Sequence, residues 1–93
     1  MKKQTFASVW DAIEDTKEAA ANMRVRAELM IEVRRYVEKS RLTQSEAARR
    51  LGVSQPRLND LLRGRINKFS LDALVIMLTR VGRKVTVHVK KAA

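Results

Sequence analysis

The chain has no cysteine, one proline, three glycines and four aromatic residues in 93. The first absence removes disulfide scaffolds, thiolate zinc sites and cysteine nucleophiles together, and it fits a reducing compartment, read here as the cytoplasm. Long apolar runs are also missing. The longest, Ala73 to Leu78, has six residues against the roughly 20 that span a bilayer, so no membrane segment is expected. Behind Met1-Lys2-Lys3, the acids Asp11, Glu14 and Asp15 interrupt any leader-like apolar stretch. Acidic residues are scarce as well: ten Asp and Glu stand against twenty Lys and Arg, a formal net charge of +10. That imbalance favours a polyanion, nucleic acid or an anionic lipid surface, over a small neutral substrate. Apolar residues still make up 45%, enough for one domain with a small core that often gains stability from a second subunit.

The positive charge is unevenly spread. Residues 1–40 carry eight bases and seven acids. Residues 41–68 carry seven bases (Arg41, Arg49, Arg50, Arg57, Arg63, Arg65, Lys68) against Glu46 and Asp60, half the net charge in 28 residues. A polyanion is therefore expected to meet the middle of the chain.

Helix ends are marked by residue type. Gly52, Gly64 and Gly82 each follow a stretch of helical apolar spacing, where a positive φ ends a helix. Thr43-Gln44-Ser45-Glu46 is a capping box, Ser54 and Ser70 are N-cap candidates, and Pro56 fits a first turn. Asp15, with Glu18 behind it, is the expected cap of a long helix. The spacing predicts five helices, near 6–13, 17–39, 44–51, 55–63 and 71–81. The long helix should bury Ala20, Met23, Ala27, Met30, Val33 and Val37, and the last one Leu71, Leu74, Val75, Leu78 and Val81. The period then changes: Val85, Val87 and Val89 alternate with Thr86, His88 and Lys90, the pattern of a half-buried strand. A lone strand needs a partner, so a homodimer closed by a two-stranded antiparallel ribbon is expected. The fold class is all-α: a small bundle of about five helices with a helix-turn-helix, plus a C-terminal β-strand. The division is an N-terminal helical extension (1–22), a helix-turn-helix domain (23–82, motif 43–64) and a dimerisation strand with a basic tail (83–93).

Within residues 43–64, two short helices must cross closely. Ala48 supplies a small side chain at the crossing, Gly52 the turn, and Ala47, Leu51, Val53, Leu58, Leu61 and Leu62 the inner surfaces. Gln44, Ala48, Gly52 and Leu58 fall at the first, fifth, ninth and fifteenth places of the helix-turn-helix pattern. This segment, through Ser54-Gln55-Pro56-Arg57 to Leu62-Arg63-Gly64, resembles the XRE (Cro/repressor-like, lambda repressor-like) family. Phe69-Ser70-Leu71-Asp72-Ala73-Leu74 and Gly82-Arg83-Lys84-Val85 also look like its HigA-like antitoxins and regulators. The resemblance implies a DNA-binding transcriptional regulator, a repressor, and in the HigA-like relatives the antitoxin of a toxin–antitoxin pair that represses its own operon. Partners would be double-stranded DNA with a palindromic operator, a second copy and a toxin protein; no cofactor is implied. The alternative is a toxin-neutralising module in which DNA binding is secondary, with Phe6 and Trp10 on the near-neutral N-terminal part as its surface.

Roles follow from side-chain chemistry. Gln55, Pro56, Arg57, Asn59 and Asp60 are the expected base readers: Gln and Asn suit adenine, Arg guanine, Asp the cytosine amino group, and Pro a thymine methyl. Gln44, Ser54, Arg63 and Arg65 are expected on phosphates, with Ser54 adding free N–H groups at a helix start. Asp60 has a second expected role, pairing with Arg57 or Arg63. His88, the single histidine, has no metal-ligand companion at strand spacing, so no metal site is expected, and no serine is matched to a base, so no enzyme is expected. No basic helix has the broad apolar face of a membrane-surface segment, and the aromatics are not arranged for stacking on RNA.

Overall fold

The computed structural model describes residues 16–92. Helix α1 (Lys17–Ser40) is followed by α2 (Gln44–Leu51), α3 (Gln55–Leu62), a single 3₁₀ turn (Ile66–Lys68) and α4 (Leu71–Arg80). The described residues are thus all-helical, with four α-helices and no strand. The expected helix near 6–13 lies outside the described residues. α1 runs unbroken through residues 22 and 23, where the expected N-terminal extension ends.

Each start has a side-chain cap. The Thr43 hydroxyl accepts from the Glu46 N–H at 3.1 Å while the Glu46 carboxylate accepts from the Thr43 N–H at 2.9 Å, a complete capping box. Ser54 caps α3 through the Arg57 N–H and Ser70 caps α4 through the Ala73 N–H. α1 differs from expectation: Thr16 is its cap, accepting from the Ala19 N–H at 3.1 Å, and not Asp15. Of the expected buried face only the first member changes, Ala19 being buried and Ala20 exposed, while Met30 and Val33 are buried and Met23, Ala27 and Val37 half-buried. Asp72 near the start of α4 and Arg80 near its end oppose the helix dipole correctly, as do Glu46, Arg49 and Arg50 on α2.

The ends are closed by left-handed residues. After α2, the Val53 N–H reaches the Ala48 carbonyl (3.0 Å) and the Gly52 N–H the Arg49 carbonyl (3.1 Å), with Gly52 at φ +79°. The same paired bonds recur after α3 and α4. α1 ends on Arg41 at φ +60°, the one described non-glycine residue with positive φ.

The core joins Met30 and Val33 of α1, Ala47, Ala48 and Leu51 of α2, Leu58 and Leu61 of α3, Phe69, and Leu74, Met77 and Leu78 of α4. α1 lies chiefly against α4, and α2 and α3 pack across its end of the core. Met77, absent from the expected face of α4, is buried; Leu71, Val75 and Val81 are only half-buried.

Residues 83–92 carry neither helix nor strand, so the expected C-terminal strand does not form in the single chain. The reason is pairing: no described segment supplies a neighbouring ladder. Its beginning is nonetheless tied down. The Arg83 guanidinium lies 5.9 Å from the Tyr36 ring centre and Val85 is half-buried against the core.

Candidate nucleic-acid interface

The corner formed by α2 and α3 is sealed by apolar side chains. Ala47, Ala48 and Leu51 are buried on one side, Leu58 and Leu61 on the other, and Val53 fills the turn. Gly52 permits the close approach: a Cβ there would stand 2.6 Å from Cδ and Nε of Arg80, which crosses the turn from α4. Arg80 lies far from Gly52 in sequence, and no local pattern announces that contact.

With Leu58 and Leu61 inward, a helix advancing about 100° per residue turns Pro56, Asn59 and Arg63 to the opposite side. Gln55 and Asp60 stand beside that row. Gln55, Pro56 and Arg63 are exposed and Asn59 and Asp60 half-buried. Arg57 is different: it sits one turn before Leu61, is half-buried, and its guanidinium carbon lies 4.5 Å from the centre of the Phe69 ring.

Asp60 pairs with Arg65 (3.2 Å) and Lys68 (3.5 Å), and not with Arg57 or Arg63. The chain reversal at Gly64 explains this, since the Arg65 N–H returns to the Asp60 carbonyl at 3.1 Å and carries both cations past the carboxylate. Gln44 is exposed on the first turn of α2 and Ser54 exposed at the start of α3. Ser54 offers fewer free N–H groups than expected. Pro56 has none and Arg57 donates to the Ser54 hydroxyl, leaving the Gln55 N–H.

Both acids of the basic segment are occupied. Thr43, through its backbone N–H and then its hydroxyl, holds the Glu46 carboxyl below the ordinary carboxylate range, with Arg49 and Arg50 adding smaller effects. Asp60 is shared by two cations. Arg49, Arg50, Arg63 and Arg65 are exposed around the corner, so the surface presented by α2, α3 and the loop behind it is cationic.

Two α1 arginines missed at the sequence level hold that loop. Arg26 donates to the carbonyls of Ile66 (3.2 Å) and Phe69 (3.5 Å), and Arg34 to that of Leu62. Their signal was weak but present: Arg26 and Arg34 lie four residues either side of buried Met30, along one stripe of α1. Lys68 and Phe69 were also missed as contributors to the site.

An apolar-sealed helical corner carrying a cationic, hydrogen-bonding outer face is a helix-turn-helix DNA-binding module. The chain belongs to the helix-turn-helix domain family, whose model matches residues 12–90. No curated protein matches it. Among the described residues no helix is long and apolar enough to cross a membrane, and no group of three or more candidate metal ligands occurs.

Proposed function

We propose that this protein is a sequence-specific transcriptional repressor of the XRE type, which binds a palindromic operator as a homodimer. The observation that carries the reading is the outer row of α3, Pro56, Asn59 and Arg63, opposite the buried Leu58 and Leu61, with exposed Gln55 beside it. Gln55 and Asn59 read adenine edges and Pro56 meets a thymine methyl, while Arg63, Arg65, Gln44 and Ser54 hold phosphates. Asp60 keeps Arg65 and Lys68 in place, which takes its carboxylate away from cytosine.

The second copy is supported by the C-terminal segment. Val85 is half-buried, yet Val87 and Val89, which a strand would place on the same side as Val85, are 77% and 90% exposed. The radius of gyration of 15.2 Å exceeds the roughly 12 Å of a compact domain this size, in keeping with a tail that lacks a partner. Pairing Val85, Val87 and Val89 with the same residues of another chain buries both rows and supplies the two-fold symmetry that a palindrome needs. An antitoxin role would add a protein partner. Co-purification of a toxin encoded beside this gene supports that extension, and its absence leaves a stand-alone regulator.

Selection of random duplexes on the purified protein tests the main reading. Enrichment of a palindrome with half-sites about 10 bp apart is the expected result; no enrichment over input defeats it.

A further inference from the structure

We infer that Arg57 clamps the DNA backbone and does not read a base, and that the core residue Phe69 positions it for that work. The inference rests on the DNA-binding reading above and names the part of the ligand that Arg57 meets.

Helix geometry separates Arg57 from the other α3 candidates. Pro56, Asn59 and Arg63 share the stripe opposite the core, whereas Arg57 and Leu61 share the stripe that turns toward Phe69. Base edges are reached from the outer stripe and from the exposed Gln55 beside it. Arg57 lies back, half-buried, along the side of the helix.

Its platform is rigid. The Phe69 ring is 1% exposed, in the core cluster with Leu58 and Leu61. The residue's backbone is held too, its carbonyl accepting from Arg26 at 3.5 Å and its N–H donating to Ile66 at 3.2 Å. With the guanidinium 4.5 Å above that ring, stacking occupies one face of the cation and leaves its in-plane N–H groups free. Among the described residues those groups meet no acceptor in a hydrogen bond or ion pair.

The surroundings match a phosphate better than a base. Arg57 is the α3 residue that lines an open groove with Arg26 of α1 and with Asn67 and Lys68 of the following loop. Glu18 and Asp72 line the same groove. Arg26 is held by two carbonyls and Lys68 by Asp60, so Arg57 is the groove cation with unpartnered N–H groups, and its planar fork suits two oxygens of one phosphate.

The test uses the full chain and two duplexes of equal length, one selected and one random, with affinity measured by fluorescence anisotropy across a salt series. Arg57→Ala is expected to weaken both duplexes by the same factor, about 5-fold at 0.15 M salt, and to reduce the slope of log affinity against log salt by about one. Phe69→Leu is expected to weaken both by about 2- to 5-fold, the cation–π contribution, and to add nothing in the Arg57→Ala background. Arg57→Lys, which keeps the charge without the planar fork, is expected to retain the salt slope and still weaken both duplexes.

Relaxed preference at one base pair with unchanged affinity for the random duplex, in Arg57→Ala, overturns the clamp. A Phe69→Leu loss that persists in the Arg57→Ala background overturns the positioning role of the ring, and unchanged affinity in Arg57→Lys overturns the two-oxygen grip of the planar fork. A wild-type chain that binds neither duplex fails differently, because it defeats the DNA-binding reading itself.

Discussion

Gly52 illustrates how one residue serves two constraints. Its φ of +79° closes the turn between α2 and α3, and its missing Cβ leaves room for Arg80 at 2.6 Å. The first constraint is backbone strain, about 1 to 2 kcal/mol for a residue with a Cβ. The second is a clash with the end of a flexible side chain, which can move aside. Gly52→Ala should therefore lower stability by about 1 to 2 kcal/mol in urea denaturation. Most of that loss should persist when Arg80→Ala is added; full recovery in the double variant would assign the cost to the clash.

Glu46 provides a residue-level pH effect whose sign follows from linkage. Its folded pKa is lowered, chiefly by the Thr43 N–H and then the Thr43 hydroxyl. The unfolded chain therefore takes up the proton first as pH falls. The contribution is complete above the ordinary Glu value of about 4.3 and is lost as pH drops through the lower folded value. Between about pH 5 and pH 3, Glu46→Gln should show a shallower fall in melting temperature than the wild type, because an amide accepts the same bond without titrating.

At the scale of elements, the loop after α3 is tied to α1 by Arg26 as well as to α3 by Asp60. Arg26 reaches two of its carbonyls, and its buried Nε has no hydrogen-bond partner among the described residues. Hydrogen bonds from a charged donor contribute about 1.5 to 3 kcal/mol, less here because that nitrogen is desolvated and unpaired. Arg26→Met should cost about 1 to 2 kcal/mol, concentrated in the loop. Hydrogen exchange at residues 65–70 should accelerate while the Leu58 and Leu61 amides keep their protection; uniform acceleration would show that Arg26 stabilises the fold as a whole.

At the scale of the molecule, the exposed Val87 and Val89 make oligomerisation the main question. Deletion of residues 84–93 should convert a dimer to a monomer in sedimentation. It should also weaken binding to a two-half-site duplex far more than to a single half-site, since the second contact is then no longer intramolecular. A truncated chain that remains fully dimeric rules out the strand interface. The basic surplus itself should appear as a steep salt dependence common to all duplexes.

Local chemistry determined the elements. Thr43-Gln44-Ser45-Glu46, Ser54 and Ser70 start three helices, Gly52, Gly64 and Gly82 end three, and the apolar spacing between them marks α2 and α3 to within a residue. These features are legible because a cap or a left-handed turn is decided within about five residues. Site assignment was legible only in part, for the same reason. Periodicity tells Leu58 from Asn59 and sets Arg57 to one side of the outer stripe, but not what Arg57 meets there, because Phe69 arrives from another element. The Asp60 pairs with Arg65 and Lys68 required the reversal at Gly64, and the loop's attachment to Arg26 and Arg34 required α1 to cross it. The sequence by itself determined where helices begin and end and which stripe of α3 faces outward. Tertiary structure alone decided which cations are free and which are held, since those contacts join residues far apart in the chain, and no local preference encodes them.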